Sequence, residues 1–427
     1  MRRTTGILGV AALVAAGLLA APAASAAGEA CRPGQVVLTP STPPALVSLG
    51  AAEANKRATG RGVTVAVVDS GIDAGNLHLA GAVAGGVNLV GDGERPDGLS
   101  DPLGHGTVIA GEIAARPVAG SGVVGLAPDA SLLSVRVFRS DTDDDAKKGF
   151  GPTPARIADG IRWAADHGAR VINVSLSTQQ DAPELRAAVA YAAAQHSLVV
   201  ASAGNRAAAP DAPNGVRYPA GYPGALGVSA AADDGRSTDD SIHGPQVALT
   251  APGANVLSTA TGAGDCQFDA VPSASFATAY VSGAAALVAQ AHPSEPVTGW
   301  AYRLTATALR ADADRRDDRD GWGFVQPAAA NTLLPDASTR GPAGPFSDAG
   351  RSAMRPQGAQ AGSDPSASPF VRTQETAILA AVVAAALLGL LTTLLLLRRR
   401  RSERAEASAA TPPRPGGLFG QEKPDLF

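Results

Sequence analysis

Four short segments hold side chains that together could do nucleophilic chemistry. Asp69 ends the apolar run Val65-Ala66-Val67-Val68, and Ser70-Gly71-Ile72-Asp73 follows it. This reads as a carboxylate at a strand end, before a glycine that permits a sharp turn. His105 lies in Gly104-His105-Gly106-Thr107 and leads into Val108-Ile109-Ala110-Gly111, the pattern of a histidine at the start of a helix. Ser275 lies in Ser273-Ala274-Ser275-Phe276-Ala277, which runs on into Ala284-Ala285-Ala286-Leu287-Val288. That puts its hydroxyl at a helix N-terminus, where free amides and the helix dipole favour developing negative charge. A serine hydroxyl is a weak nucleophile, so it requires a base to take its proton and a third group to fix the tautomer of that base. Asp69, His105 and Ser275 supply one of each. Asn205 ends Val199-Val200-Ala201-Ser202-Ala203-Gly204 and offers a side-chain amide to an oxyanion, beside the Ser275 N–H. Its plainer reading is a turn residue tolerant of left-handed geometry. Each signature alone is ordinary, since an isolated Asp-Ser-Gly is usually a turn. The reading rests on their joint order and on the element that each one ends or begins.

Those elements follow from the hydrophobic pattern. Val63 to Val68, Leu132 to Val137, Val171 to Leu176 and Leu198 to Ala203 are continuous apolar runs, as strands covered on both faces are. Between them lie Ala-rich amphipathic runs, His105 to Ala115, Ile157 to His167 and Leu185 to His196. The alternation predicts an α/β fold, a parallel sheet with helices on both faces. Asp141 to Gly151 interrupts it with charge and glycine and reads as an exposed loop. Asp143, Asp144 and Asp145 there read as a solvated acidic loop rather than a calcium site. His78, His167, His196, His243 and His292 sit in no motif and read as structural or exposed, and the sequence has no His/Cys spacing for a metal.

The composition sets the setting. A formal net charge of −4 gives no general attraction to phosphate backbones, so nucleic acid is not an expected partner. Residues 1–26 read as a signal peptide: Arg2 and Arg3, an apolar run from Gly6 to Ala21, then Ala24-Ser25-Ala26. The chain is therefore expected to be exported, with residues 27–59 as an N-terminal extension and 60–334 as the main domain. Residues 335–376 are rich in Pro, Gly, Ser and Ala without periodicity, as a stalk is. Ala377 to Leu397 carries no charge and, as a helix, is about 31 Å long against a hydrocarbon core of about 30 Å. Arg398 to Arg401 follow at once, so the span is expected to leave residues 398–427 in the cytoplasm and the domain outside. Small residues around Gly389 would let the span approach partner helices closely. Only Cys31 and Cys266 are present, both on the oxidising side. A disulfide between them is expected, the alternative being two buried thiols.

The four motifs resemble those of the subtilisin family: a strand before Asp-(Ser/Thr)-Gly, then His-Gly-Thr, then Gly-Asn, then Gly-Thr-Ser-x-Ala. The match runs roughly from Gly60 to Leu333. The resemblance implies that Asp69 orients the imidazole, His105 is general base and then acid, Ser275 is the nucleophile and Asn205 donates to the oxyanion. It further implies that Ser175-Leu176-Ser177 and Ala201-Ser202-Ala203 pair with substrate backbone and wall a specificity pocket. No cofactor is implied. The chain departs from the family pattern at Ser273-Ala274, where Gly-Thr is usual, at Ala279, where Pro is usual, and at Ser177, where Gly is usual. The layout of signal peptide, protease domain, stalk, one C-terminal helix and basic end resembles the mycosins, proteases attached to type VII secretion systems. Phe276, Ala277, Tyr280, Val281, Ser282 and Gly283 match their nucleophile segment. The extension is too short for a folded inhibitory propeptide, which is also mycosin-like.

The expected function is thus a membrane-anchored, extracytoplasmic serine endopeptidase acting on exported polypeptides through an acyl-enzyme, with type VII membrane components as partners. Two rivals stand beside it. One is a structural subunit that stabilises a membrane secretion complex with little or no proteolysis. The other is a general surface protease without secretion partners.

Overall fold

The computed structural model describes residues 31, 34–206, 212–268, 271–336 and 338–345. The expected signal peptide, membrane span with Gly389, and cytoplasmic tail lie outside the described residues.

The apolar runs form strands β1 (Thr64–Asp69), β2 (Val83–Asn88), β3 (Ser131–Arg136), β4 (Val171–Val174), β5 (Leu198–Ser202), β6 (Ala225–Ala231) and β7 (Leu249–Pro252). They make one sheet in the order β2-β3-β1-β4-β5-β6-β7, with every ladder parallel. The alternation within a strand explains why no polar face appears. Along β1, Val65 and Val67 belong to one core while Ala66 and Val68 belong to the core on the other side. The first core is filled from α3 (His105–Ala114) and α7 (Ala274–Ala291), the second from α5 (Pro154–Asp166) and α6 (Pro183–Ala194). Helices on both faces are therefore observed, as the sequence pattern predicts.

The remaining helices are short or peripheral: α1 (Pro44–Ser48), α2 (Ala51–Ala54), α4 (Asp143–Lys147), α8 (Val297–Ala306) and α9 (Pro327–Thr332). Helix α4 corrects the loop expected over Asp141 to Gly151. Thr142 caps it, with its hydroxyl accepting from the Asp145 N–H, and three aspartates in the first turn and Lys147 in the last suit the dipole. It is exposed, so local capping alone explains it.

Helix α7 is long and apolar enough to pass for a membrane span by length and composition, but it is a core helix. It packs against β4, β5, β6 and β7. Val281, Leu287 and Val288 on it are fully buried, each contributing roughly 1.5–3 kcal/mol of transfer free energy. Gly283 lets it sit against Leu126, since a Cβ there would lie 3.0 Å from the Leu126 Cβ.

A two-stranded antiparallel hairpin, β8 (Leu257–Ala260) and β9 (Gly264–Gln267), lies beside the sheet. It holds the N-terminal extension. Val37 bridges to Gly264, and its N–H donates to the Ala263 carbonyl at 2.9 Å. Cys31 is disulfide-bonded to Cys266, with Cα atoms 5.8 Å apart. Asp265 Oδ2 accepts from the Thr39 N–H at 2.6 Å, while Oδ1 meets His78 Nε2 at 2.7 Å in a fully buried pair. Ala45, Leu46, Leu49, Ala51 and Ala54 complete the attachment by burial in the first core. At the other end, Ser338 to Pro345, at the start of the expected stalk, lie on the domain. Arg340 pairs with Asp314 at 2.7 Å, and a Cβ on Gly344 would lie 2.7 Å from the Tyr302 ring.

Candidate active site

Strand order reverses beside β1: the chain goes to β3 and β2 on one side and to β4, β5 and β6 on the other. Crevices at such a reversal, outside the carboxyl ends of the strands, are where α/β sheets place ligands. Asp69 is the last residue of β1, fully buried. Its Oδ1 accepts from the Ser70 N–H at 2.8 Å and lies 2.7 Å from His105 Nδ1. His105 is the first residue of α3, behind Gly104 in the left-handed region at φ 88°. Helix α3 reaches Asp69 only because its next residue lacks a side chain, since a Cβ on Gly106 would fall 2.1 Å from the Gly71 carbonyl oxygen.

The turn after Asp69 is braced from both sides by residues that sequence reasoning missed. Asp101 is buried; its carboxylate accepts from the Ser70 hydroxyl (2.8 Å), the Gly104 N–H (2.9 Å), and the Thr107 N–H and hydroxyl (2.8 and 2.7 Å). It joins the Asp69 turn to the start of α3. Burial pushes its carboxyl upward despite these donors. On the far side Arg136 Nε donates to the Ser70 carbonyl at 2.9 Å, and its two terminal nitrogens clasp Asp92 at 2.7 Å each, with both side chains fully buried. Burial alone would raise the Asp92 carboxyl, but the Arg136 guanidinium and Asn88 bring it down to about 2. An arginine ending an apolar strand was the available signal for this pair.

The His105 imidazole stays a quarter exposed, with 27% of its side chain accessible. Burial works against its charged form, but the Asp69 carboxylate, helped by Asp101 and Asp141, outweighs that and raises its pKa above the ordinary histidine value. Phe276 stacks against the ring with centroids 6.4 Å apart, and Phe268 packs on Phe276 at 6.1 Å.

Ser275 is the second residue of α7 and is buried. Its hydroxyl donates to the Ser175 carbonyl at 3.1 Å, and no hydrogen bond to His105 is made in this resting geometry. Ser175 returns the contact, its hydroxyl donating to the Ser275 carbonyl at 2.9 Å. Asn173 and Ser282 continue the network behind it, tying the end of β4 to α7. The Asn205 side chain is fixed at both ends: Oδ1 accepts from the Ala274 N–H at 2.6 Å and Nδ2 donates to the Ser273 hydroxyl at 3.2 Å.

His105, Ser175, Leu176, Ser177, Ser202, Asn205 and Ser275 border one cleft of about 820 Å³. Ala201 and Ala203 flank Ser202 behind this border. Ala201 lies inside the ladder between β4 and β6, and the Ala203 N–H already donates to the Val228 carbonyl. Arg217 and Ile242 stand on that side of the cleft.

An activated serine chemistry is what this arrangement can do, and comparison with known proteins points the same way. Residues 60–323 match the model of the subtilase family. The chain is 38% identical to an intracellular serine protease of Paenibacillus polymyxa over 232 residues, 54% of this chain and 68% of that protein. Among solved structures it is similar to MycP1 from Mycobacterium smegmatis, with a TM-score of 0.62 and 30% identity over 74% of this chain and 92% of that one. It is also similar to the MycP3 protease from the type VII (ESX-3) secretion system, with a TM-score of 0.59 and 31% identity over 71% and 90%. The chain therefore belongs to the subtilase family and is a serine endopeptidase, structurally close to the mycosins.

Proposed function

We propose that this endopeptidase is anchored to the membrane by residues 377–397, faces away from the cytoplasm, and cleaves exported polypeptides in association with type VII secretion components. The likeness to MycP1 and MycP3 over most of their lengths supports the secretion setting. The observation that carries the chemistry is the 2.7 Å contact between Asp69 and His105 at the mouth of the cleft that holds Ser275.

In this reading Asp69 holds the Nδ1–H of His105, leaving Nε2 as the base. The Ser275 hydroxyl turns from the Ser175 carbonyl to Nε2, loses its proton there and attacks the substrate carbonyl carbon. The C=O electron pair moves onto oxygen, where the Ser275 N–H and Asn205 Nδ2 receive the charge. Collapse breaks the C–N bond, the amine leaves with the proton from His105, and the acyl group remains on Ser275. Water, deprotonated by His105, then attacks the acyl carbon, and the bond to Ser275 Oγ breaks as that oxygen takes the proton back from His105, releasing the acid. Ser175, Leu176, Ser177 and Ser202 line the path of the substrate chain. No cofactor enters.

Labelling of the full chain with a fluorophosphonate probe, beside Ser275→Ala and His105→Ala, tests this reading. Labelling that requires both residues is expected. A folded wild type that stays unlabelled would overturn it and favour a structural subunit of a secretion complex. That second reading draws on the Ser275 hydroxyl being bonded to Ser175 rather than to His105.

A further inference from the structure

The hydroxyl of Ser273, where the family pattern has glycine, lies among the groups that the reaction needs. Ser273 is the N-cap of α7, with φ −118° and ψ 124°. Its Oγ accepts from the Ser275 N–H at 3.3 Å and from Asn205 Nδ2 at 3.2 Å. An N-cap requires only the first of these contacts. The second comes from a side chain 68 positions away in sequence. One oxygen receiving two convergent N–H donors is the arrangement that a tetrahedral oxyanion would meet. The Asn205 amide is held in that orientation, because its Oδ1 is engaged by the Ala274 N–H at 2.6 Å.

We infer that the Ser273 hydroxyl is a built-in occupant of the oxyanion hole, which the substrate carbonyl must displace before Ser275 can be acylated. The inference rests on the proposed assignment of Asn205 and the Ser275 N–H as oxyanion donors. A rotation of the Ser273 side chain vacates the hole without moving the backbone of α7. The nucleophile is engaged in the same way, with Ser275 Oγ held on the Ser175 carbonyl. A substrate entering the cleft therefore exchanges contacts at two places. Its developing negative oxygen competes well, since hydrogen bonds to a charged acceptor are roughly twice as strong as those to a neutral hydroxyl. Ser273 is on this account a positioning residue that restrains the resting enzyme.

Ser273→Ala and Ser273→Gly in the full-length, detergent-purified chain test the inference. Removing the occupant frees one to two net hydrogen bonds, so fluorophosphonate acylation of Ser275 is expected to accelerate roughly 5- to 30-fold. The affinity for the aldehyde of Ac-Ala-Ala-Pro-Ala, which places an oxygen in the hole, is expected to rise by the same factor. Affinity for the matching peptide alcohol, which has no carbonyl for Ser275 to attack or for the hole to receive, is expected to stay unchanged. Acylation and aldehyde affinity that are unchanged or weaker in both variants would overturn the inference and leave Ser273 a simple helix cap. The glycine variant keeps the test open if loss of the cap unfolds the alanine variant, because glycine at an N-cap costs little. Wild-type labelling with no difference in the variants defeats only the inference. Absence of labelling in all three folded proteins defeats the proposed site as well.

Discussion

Replacing Cys31 and Cys266 together by alanine measures how much of the domain depends on one covalent link. The bond closes a loop of 235 residues. In the chain-entropy account, such closure removes roughly 18 cal/mol/K from the denatured ensemble, or about 5.5 kcal/mol at 25 °C. A unit of roughly 300 residues unfolds with an entropy of about 0.6 kcal/mol/K, so the variant is expected to melt about 9 °C lower. The non-covalent attachment of the extension is untouched: the Val37 bridge to Gly264 and the Thr39 contact with Asp265 remain. Acylation at 25 °C is therefore expected to change less than about twofold. Calorimetry of the two proteins, with labelling rates beside it, reads both quantities. A fall of under about 3 °C would refute the reasoning, because the denatured chain would then hold the extension beside β9 without the bond.

Asp69→Asn is expected to reduce kcat on the order of 10⁴-fold by freeing the wrong histidine tautomer. His105 works as a base only when neutral, and its raised pKa sets where activity is lost as pH falls; without the Asp69 carboxylate, burial is opposed only by the weaker pull of Asp101 and Asp141, and that limb moves to lower pH. Glu112, buried on α3 with neither carboxylate oxygen hydrogen-bonded among the described residues, is pushed well above the carboxyl range by burial. Its contribution to stability is full below the ordinary carboxyl pKa and is lost as pH rises through the raised one. Denaturation curves at several pH values should therefore show Glu112→Gln gaining stability relative to wild type toward alkaline pH. Gly106→Ala must push α3 away from the Gly71 carbonyl by about 1 Å, a displacement expected to cost about 100-fold in acylation rate. Arg217 borders the cleft, and among the described residues its guanidinium donates only to the Val216 and Pro213 carbonyls. A peptide library should show acidic side chains favoured near the cleaved bond, and Arg217→Gly should abolish that preference.

Much of the site was legible because its chemistry is written locally. Asp69 sits where an apolar run stops, and His105 and Ser275 open runs that can only be helices once the glycines and alanines are counted. Strands buried on both faces left an equally plain trace. What was illegible depends on folding at a distance. Asp101 is only four residues before His105, yet its carboxylate matters because the loop returns it to Ser70. A strand's last residues, such as Ala201 and Ala203, look alike in sequence whether their backbone groups are free or already used by β4, β6 and Val228. The departure at Ser273 was visible as a letter, but its partner Asn205, 68 positions away, is brought to it only by the fold.

The position of α7 has a consequence for timing. The serine it carries meets Ser175, a residue 100 positions earlier, and the helix packs against α3 and against β4, β5, β6 and β7 together. Synthesis runs from the N-terminus, so Asp69 and His105 are made well before Ser275. On the proposed assignment, a growing chain carries a base with nothing to activate. On that assignment it cannot cut itself before the serine's helix has joined the sheet.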